Sequence, residues 1–292
     1  MVIIRPDGID ERFNYQLFKF LDKSFQSFTS GSAQPQLPIR DLVEIPILLP
    51  PLPEQRAISA VLSRLDDKID LLYRQNGTLE DLAETLFRQW FVEEAEDAWE
   101  VSSLESMLTV KGGTTPSTKI PEFWDGEFHW TTPKDLSNSK HIFLFDTLRK
   151  ITKEGLEQIG SGLLPIGTLL LSSRAPVGYL AFAEVPMAIN QGYIAIIDDK
   201  GFSKYFIYFW IKENLGYIKS HAGGTTFLEI SKSSFRNLEL NLPPKEIRTK
   251  FENLASLYFE KIRANVIQIQ TLEKLRETLL PKLMSGKVRV KY

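Results

Sequence analysis

Apolar residues recur every three or four positions in two long stretches of the chain, a spacing that predicts two long helices packed along each other. Prolines stand just before each stretch, in LPPLPEQ and LPPKE, where a helix tolerates them best. The first stripe is Ile58, Leu62, Leu65, Ile69, Leu72, Asn76, Leu79, Ala83, Leu86 and Trp90. The second stripe is Phe251, Ala255, Tyr258, Ile262, Asn265, Ile269, Leu272, Arg276, Leu279 and Leu283.

The two stretches belong to a longer internal repeat. A shift of 193 residues aligns residues 1–91 with 194–284 without a gap and gives 22 identities, among them those in TLEDLAETL and TLEKLRETL. A gapless register through strand, loop and helix indicates a true repeat. We therefore expect one whole unit, residues 92–284, preceded by the end of another unit that lacks about 102 residues of its own start.

Polar residues interrupt both stripes. If the helices pack antiparallel over their whole lengths, Asn76 and Asn265 fall opposite each other. We expect these side chains to hydrogen-bond and to fix the register at some cost in stability. The alternative is that each faces solvent at a frayed turn, because Gly77 weakens the helix there.

The segment between the helices has a different character. Short β-like runs (168–172, 193–197, 238–242) alternate with Gly, Pro, Ser and Thr turns, and helical stretches occur near 153–160 and 204–221. The expected fold is α+β: one globular domain, two long helices in an antiparallel coiled coil, and a truncated second α+β domain. The predicted parts are 1–52 (C-terminal remnant of a first domain), 53–91 (first helix), 92–243 (complete domain), 244–284 (second helix) and 285–292 (tail).

Composition narrows the class of protein. Hydrophobic content of 43% and a mean hydropathy of −0.15 are typical of a globular protein, and no apolar run is long enough for a membrane helix. Three histidines and no cysteine argue against a zinc site. Residues 99–243 carry 14 Lys and Arg against 15 Asp and Glu, so counterion release gives this segment little drive toward DNA.

Motifs for catalysis are missing from the sequence. It has no GxxxxGK[ST] phosphate loop, no NPPY-type methyltransferase motif and no nuclease-like cluster of carboxylates with a lysine. Ser172-Ser173-Arg174 lacks the flanking glycine of a nucleophile elbow. The pattern favours a protein without catalytic activity of its own.

A series of phrases in order carries a family resemblance: VKGGTTPST, FWDGEFHWTTPKDL, ITKEGLEQIGSGLLPIGTLLLSSRAPVGYLA, AINQGYIAI, HAGGTTFLEIS and LRETLLPKLMSGKVRV. The chain resembles the specificity subunit of type I restriction–modification systems. The resemblance implies target recognition domains that each read half of a split site in double-stranded DNA. It also implies helices that set the spacing and bind methylation subunits on the exposed sides of 57–91 and 246–284.

The resemblance places S-adenosylmethionine in the partner methyltransferase and no cofactor in this chain. It further implies a restriction subunit as a possible partner, no membrane, and the cytoplasm of a bacterium or archaeon. Several alternatives stay open. A second copy or a separate half-subunit completes the assembly, or the chain is a silent cassette. A coiled-coil adaptor that does not read DNA and a fragment of a fused restriction–methylation enzyme are the rivals.

Candidate DNA-contacting residues are those whose side chains suit phosphates or base edges. They are Lys111, Thr114, Thr115, Ser117, Thr131, Lys134, Ser172, Ser173, Arg174, Asn190, Gln191, Thr225 and Thr226. Several have a structural alternative: residues 111–117 are a plain turn, Arg174 pairs with a carboxylate, or Asn190 and Gln191 cap a strand turn. For residues 223–226, small polar residues in both repeats favour a backbone role, with phosphate contact secondary. Trp124 and Trp130 are expected in the core.

Overall fold

The computed structural model describes residues 7–25, 38–44, 46–137, 139–174, 176–197, 200, 203–224 and 228–291. It divides into two compact units. We call residues 1–77 with 264–292 the helical unit, and residues 78–263 the sheet unit.

Helices and strands follow in this order along the described residues. The helices are α1 Glu11–Phe25, α2 Ile39–Val43, α3 Leu52–Arg88, α4 Leu104–Met107, α5 Pro133–Ser137, α6 Lys153–Glu157, α7 Lys204–Glu213, α8 Leu215–Ser220, α9 Lys232–Arg236 and α10 Lys245–Met284. The strands are β1 Glu100–Ser103, β2 Thr109–Gly112, β3 Trp124–Thr131, β4 Phe143–Leu144, β5 Arg149–Ile151, β6 Leu169–Ser172, β7 Leu180–Ala183, β8 Met187–Ile189, β9 Tyr193–Ile197 and β10 Glu239–Leu242. None of these helices combines the length and apolar character needed to cross a membrane.

The elements follow the 193-residue register found in the sequence. The long helices α3 and α10 begin at Leu52 and Lys245, which are equivalent positions. The short helices α2 and α9 match at both ends, and α1 and α7 begin at equivalent residues. The described part of residues 1–52 holds α1 and α2, whereas residues 1–4, where the repeat places a strand, lie outside the described residues.

In the helical unit, α3 and α10 run antiparallel. Asn265 Nδ2 donates to Asn76 Oδ1 at 2.8 Å and to Gln75 Oε1 at 2.9 Å, so the contact expected between the two asparagines is present. Three turns away, Arg276 Nη1 donates to Asp66 Oδ1 at 2.8 Å. Ile69, Leu72 and Ile269 form the apolar layer between these two polar contacts.

The buried face of the long helices is wider than the predicted stripe. Phe87 and Phe259 are buried in place of the expected Leu86 and Tyr258, which are half-buried. The physical reason lies in the sheet unit, where α7 packs on a second face of the helices. Phe87 lies 5.4 Å from Phe206, and Phe259 lies 4.4 Å from Tyr205, measured between ring centroids.

The sheet unit contains three described sheets. A five-stranded sheet has the order β2-β9-β6-β7-β4, a three-stranded sheet has the order β5-β3-β8, and β1 pairs with β10. Strands β6 and β8 are buried at every position, as expected of apolar runs covered on both faces. Trp124 and Trp130 are buried in a core cluster with Ile151, so their expected place in the core is confirmed.

Candidate nucleic-acid interface

Several strands of the sheet unit end at one edge. The pairing brings Gly112 of β2 opposite Ile194, Ser172 of β6 opposite Tyr193, and Thr131 of β3 opposite Ile189. The loops that leave these ends therefore meet around the turn between β8 and β9. Most of the candidate residues from the sequence lie in these loops.

The turn at Asn190-Gln191-Gly192 is the centre of this edge. Its backbone contacts three neighbours: Thr114 N donates to Ile189 O at 3.1 Å, Asn190 N to Thr131 O at 3.0 Å, and Ser173 N to Gly192 O at 2.8 Å. A side-chain contact joins the turn to the loop after β2, since Thr115 Oγ1 donates to Gln191 Oε1 at 2.6 Å. Segments far apart in sequence thus form one continuous surface.

The loop after β2 is held by the two core tryptophans. Trp130 Nε1 donates to Thr114 O at 3.2 Å, and Trp124 Nε1 donates to Ser117 O at 3.1 Å. Close approach to the turn requires glycine at position 113, where a Cβ would stand 1.8 Å from Ile189 O. Carbonyl groups of this loop are therefore used internally, while the side chains of Thr114 and Ser117 are exposed.

Three candidates are buried and have internal roles. Thr131 is fully buried, and its hydroxyl lies 3.2 Å from that of Tyr193. Ser172 Oγ donates to Pro176 O at 2.7 Å and accepts from Tyr179 N at 2.8 Å, which shapes the turn after β6. Ser173 is 3% exposed, and its backbone N–H donates to Gly192 O. The structure offers none of these three side chains to a ligand at the surface.

Two further candidates, Arg174 and Asn190, make the internal contacts that the sequence analysis gave as alternatives to DNA contact. The half-buried Arg174 lies 3.9 Å from Glu229. Asn190 Oδ1 accepts from Gly192 N at 2.9 Å and so caps the turn. The Asn190 amide nitrogen and the partly exposed guanidinium of Arg174 still lie at the edge. Thr225 and Thr226 lie outside the described residues.

Lysines and exposed polar groups surround the turn. Lys111, Lys134 and Gln191 are exposed, and Thr115 is half-buried. We define the polar rim as the exposed and half-buried candidates at this edge together with one lysine from α9: Lys111, Thr114, Thr115, Ser117, Lys134, Arg174, Asn190, Gln191 and Lys232. Among the described residues, Lys111, Lys134 and Lys232 form no ion pair with a carboxylate, which leaves their charges free for an anionic ligand.

Two basic residues of this edge were missed by sequence reasoning. The aliphatic chain of Lys232 passes close to Gly112, where a Cβ would lie 2.7 Å from its Cδ. Arg236 Nη2 donates to Val110 O at 2.9 Å and secures α9 against β2. Both residues stand more than a hundred positions away from β2 in the chain. No local pattern could have placed them there.

The floor of the edge contains a buried tyrosine, Tyr193, and the buried Asp135. Burial raises the pKa of Tyr193 well above its usual range, the hydrogen bond with Thr131 lowers it, and the charge of Asp135 raises it further. Tyr193 therefore stays protonated and donates to Thr132 O at 2.6 Å. Asp135 accepts from Thr132 N at 2.8 Å and from Leu148 N at 2.7 Å, so its carboxylate is fully occupied.

Comparison with known proteins gives a consistent result. A family model described as "Type I restriction modification DNA specificity domain" matches residues 1–81 and 96–268. The type I restriction enzyme MjaIX specificity subunit of Methanocaldococcus jannaschii is 35% identical over 194 residues, which is 66% of this chain and 45% of that protein. The HindI specificity subunit of Haemophilus influenzae is 25% identical over 329 residues, covering 87% of this chain and 71% of that protein.

A solved structure shares the fold. The S subunit of a type I restriction–modification system from M. genitalium matches with a TM-score of 0.59 and 18% identity, over 96% of this chain and 74% of that chain. The chain thus spans about half of one curated relative and about three quarters of the solved structure. With most of its residues matched by the family model, the chain belongs to the family of type I restriction–modification DNA specificity domains.

Proposed function

We propose that this chain is the DNA sequence-recognition subunit of a type I restriction–modification complex. In this proposal the sheet unit reads one half of a bipartite DNA site, and the long helices serve as a scaffold for methylation subunits. The observation that carries the proposal is the polar rim. There, lysines that form no ion pair with any described carboxylate surround amide and hydroxyl groups, in a chain of the DNA specificity family.

The rim divides into two chemical groups. Lys111, Lys134 and Lys232 suit phosphate oxygens, which fix position without reading sequence. Gln191 and Asn190 carry amides that suit adenine, and the guanidinium of Arg174 suits guanine. Base discrimination is therefore assigned to the turn between β8 and β9 with Arg174, and register on the DNA to the surrounding lysines.

The long helices have apolar side chains available for partner proteins. Leu71, Leu82, Leu257, Ile267 and Leu275 lie on α3 and α10 and are each at least 41% exposed. Exposed apolar residues mark protein–protein contact surfaces where they lie side by side in a patch. We assign these surfaces to methylation subunits, which would hold S-adenosylmethionine and transfer the methyl group. A restriction subunit would join through the same assembly.

DNA binding by the isolated chain should be weak. Residues 99–243 have nearly balanced charge, so few counterions are released when the rim alone contacts DNA. The methylation subunits would supply most of the affinity that does not depend on sequence. The chain would contribute the selection of the site.

Co-expression with the methylation subunit in a host without its own system tests the proposal. Mapping of methylated adenines should give one defined bipartite motif, which disappears when this chain is left out. A Gln191→Ala variant should relax one position of the motif, and a matched Gln158→Ala variant, at an exposed glutamine of the sheet unit away from the rim, should not. Methylation at the same sites without the chain would support the adaptor alternative, and no methylation under any condition would support the silent cassette.

A further inference from the structure

In the sheet unit, the last strand before the long helix is completed by a strand from the start of the domain. Strand β10 pairs antiparallel with β1, with Ser102 opposite Leu240 and Glu100 opposite Leu242. Leu104 N donates to Leu238 O at 2.9 Å just beyond this ladder. Hydrogen-bonded pairs alternate in an antiparallel ladder, so Leu240 and Leu242 are the residues of β10 that bond to β1.

The helical unit has an equivalent segment that pairs with no strand among the residues the structure describes. In the 193-residue register, residues 46–49 correspond to β10, and α2 corresponds to α9. Within the described part of the chain, residues 46–49 belong to no sheet. Gln55 holds the segment in place, since its Nε2 donates to Pro50 O at 2.9 Å and its Oε1 accepts from Asp10 N at 3.0 Å.

The surface around this segment is strongly apolar. Leu48 is 96% exposed and Val43 is 70% exposed, and Ile39, Ile47 and Leu49 are exposed beside them. At the positions equivalent to Ile39, Val43 and Leu48, the sheet unit has Lys232, Arg236 and Asn241. The helical unit therefore shows more apolar surface at these positions than the sheet unit does. Large apolar side chains exposed within one short stretch of chain are a candidate site of protein contact.

The one proline in the segment leaves the bonding positions free. Pro46 corresponds to Glu239, whose N–H points away from β1 in the alternating ladder. Ile47 and Leu49 correspond to the two bonding residues, Leu240 and Leu242, and both have an N–H group. The segment thus keeps the donors and acceptors that a pairing strand requires, and backbone groups in this arrangement can accept an added strand.

We propose that residues 46–49 bind an added β-strand from a polypeptide with the chemistry of β1, which is a short strand followed by a buried leucine. The strand runs antiparallel, with the residue equivalent to Ser102 opposite Ile47 and the residue equivalent to Glu100 opposite Leu49. The leucine after the strand, equivalent to Leu104, packs near α2. A second copy of this chain is not the donor, because its own β1 is already paired with its own β10. This proposal does not depend on DNA recognition.

Binding of a β1 peptide to the full chain tests the proposal. The probe is an acetylated, amidated peptide of residues 97–108, DAWEVSSLESML. Hydrogen exchange of the full chain with the peptide should protect the amides of Ile47 and Leu49 and leave that of Leu48 unchanged. The expected affinity is weak, so the titration extends to about 1 mM.

Two proline variants of the chain form a matched pair. Ile47→Pro removes an N–H that the ladder uses and should weaken peptide binding at least tenfold, whereas Leu48→Pro removes an N–H that it does not use and should change binding less than about threefold. Both positions lie outside helices and sheets, and circular dichroism should show both variants folded. Absence of binding up to about 1 mM, or equal binding by both variants, would overturn the proposal. Sedimentation of the chain alone as a dimer that Ile47→Pro dissociates would make a second copy the occupant and would also overturn it.

Discussion

Equivalent residues of the two repeats make the same contact with the donor and acceptor exchanged. In the helical unit, Asp10 Oδ1 accepts from Phe13 N at 2.9 Å and from Ser59 Oγ at 2.9 Å. In the sheet unit, Ser203 Oγ accepts from Phe206 N at 3.0 Å and donates to Glu252. Both pairs cap a helix and join it to a long helix. The two repeats therefore share this contact, although the residues at both equivalent positions differ.

The contact between Asn76 and Asn265 allows a prediction about stability. Asn265 is 1% exposed, and its amide supplies the hydrogen bond to Asn76. Asn265→Leu should lower the free energy of unfolding by about 1–2 kcal/mol, because the Oδ1 atom of the half-buried Asn76 loses this donor. The double variant Asn76→Leu/Asn265→Leu should recover this loss and exceed the stability of the native chain. Urea denaturation measures both, and a double variant no more stable than the single one contradicts the account.

Asp66 predicts a dependence of stability on pH. Burial raises the pKa of Asp66, but hydrogen bonds from Arg276 and Gln16 and the charges of Lys19 and Arg276 outweigh it, so the pKa lies below 3.8. A lowered carboxyl pKa contributes stability above its ordinary value, and this contribution is lost as the pH falls through the folded-state pKa. Asp66→Asn should therefore be less stable than the native chain at neutral pH, and the difference should shrink as the pH falls through the lowered pKa of Asp66.

The neighbouring residue Asp67 gives the control for this measurement. It is exposed on the same turn of α3, so Asp67→Asn should change stability little at any pH. Urea unfolding at a series of pH values separates the two variants. A pH-independent effect of Asp66→Asn would show that packing, and not the charge, is responsible.

At the polar rim, a lysine variant and a glutamine variant should affect DNA binding in different ways. Lys134→Ala should weaken DNA binding of the assembled complex to a similar extent for all sequences and should reduce the salt slope by about 1. Gln191→Ala should weaken binding to the methylated motif and leave binding to unrelated DNA unchanged. Titrations at several salt concentrations with both DNAs measure these effects. If Gln191→Ala weakened binding to both DNAs equally, Gln191 would not contact a base.

At the scale of elements, local pattern and distant pairing differ in how far they can be predicted. The starts of α3 and α10 follow from the prolines and the apolar spacing, and the Asn76–Asn265 contact follows from antiparallel overlap of the two helices. The contact between Thr115 and Gln191 spans 76 residues and depends on the order of strands, which no local pattern specifies. The same holds for Lys232, which reaches the rim only through the packing of α9 on β2.

Two glycines in different elements should respond in opposite ways to alanine. Gly77 lies inside α3, and a Cβ there meets nothing within 4 Å, so Gly77→Ala should raise the free energy of unfolding by about 0.5–1 kcal/mol. Gly113→Ala places a Cβ 1.8 Å from Ile189 O and should separate the loop after β2 from the turn. We expect it to destabilise the sheet unit and to impair DNA binding. Thermal unfolding of both variants would contradict the account if they shifted in the same direction.

At the scale of the whole molecule, selection of a DNA site and affinity for DNA are proposed to reside in different parts of the assembly. The polar rim belongs to the sheet unit, and the exposed apolar residues proposed to bind methylation subunits lie on α3 and α10. The nearly balanced charge of residues 99–243 is consistent with selection of a site by a surface that binds DNA weakly alone. Residues 99–243 should therefore determine which DNA sequence is methylated, whichever methylation subunits are present.

Exchange of residues 99–243 for the corresponding segment of another specificity subunit tests this claim most directly. The exchanged chain is co-expressed with the same methylation subunits, and methylated adenines are mapped across the host genome. The account predicts a motif in which one half changes to that of the donor while the other half and the spacing stay the same. Methylation of the original motif by the exchanged chain would contradict it.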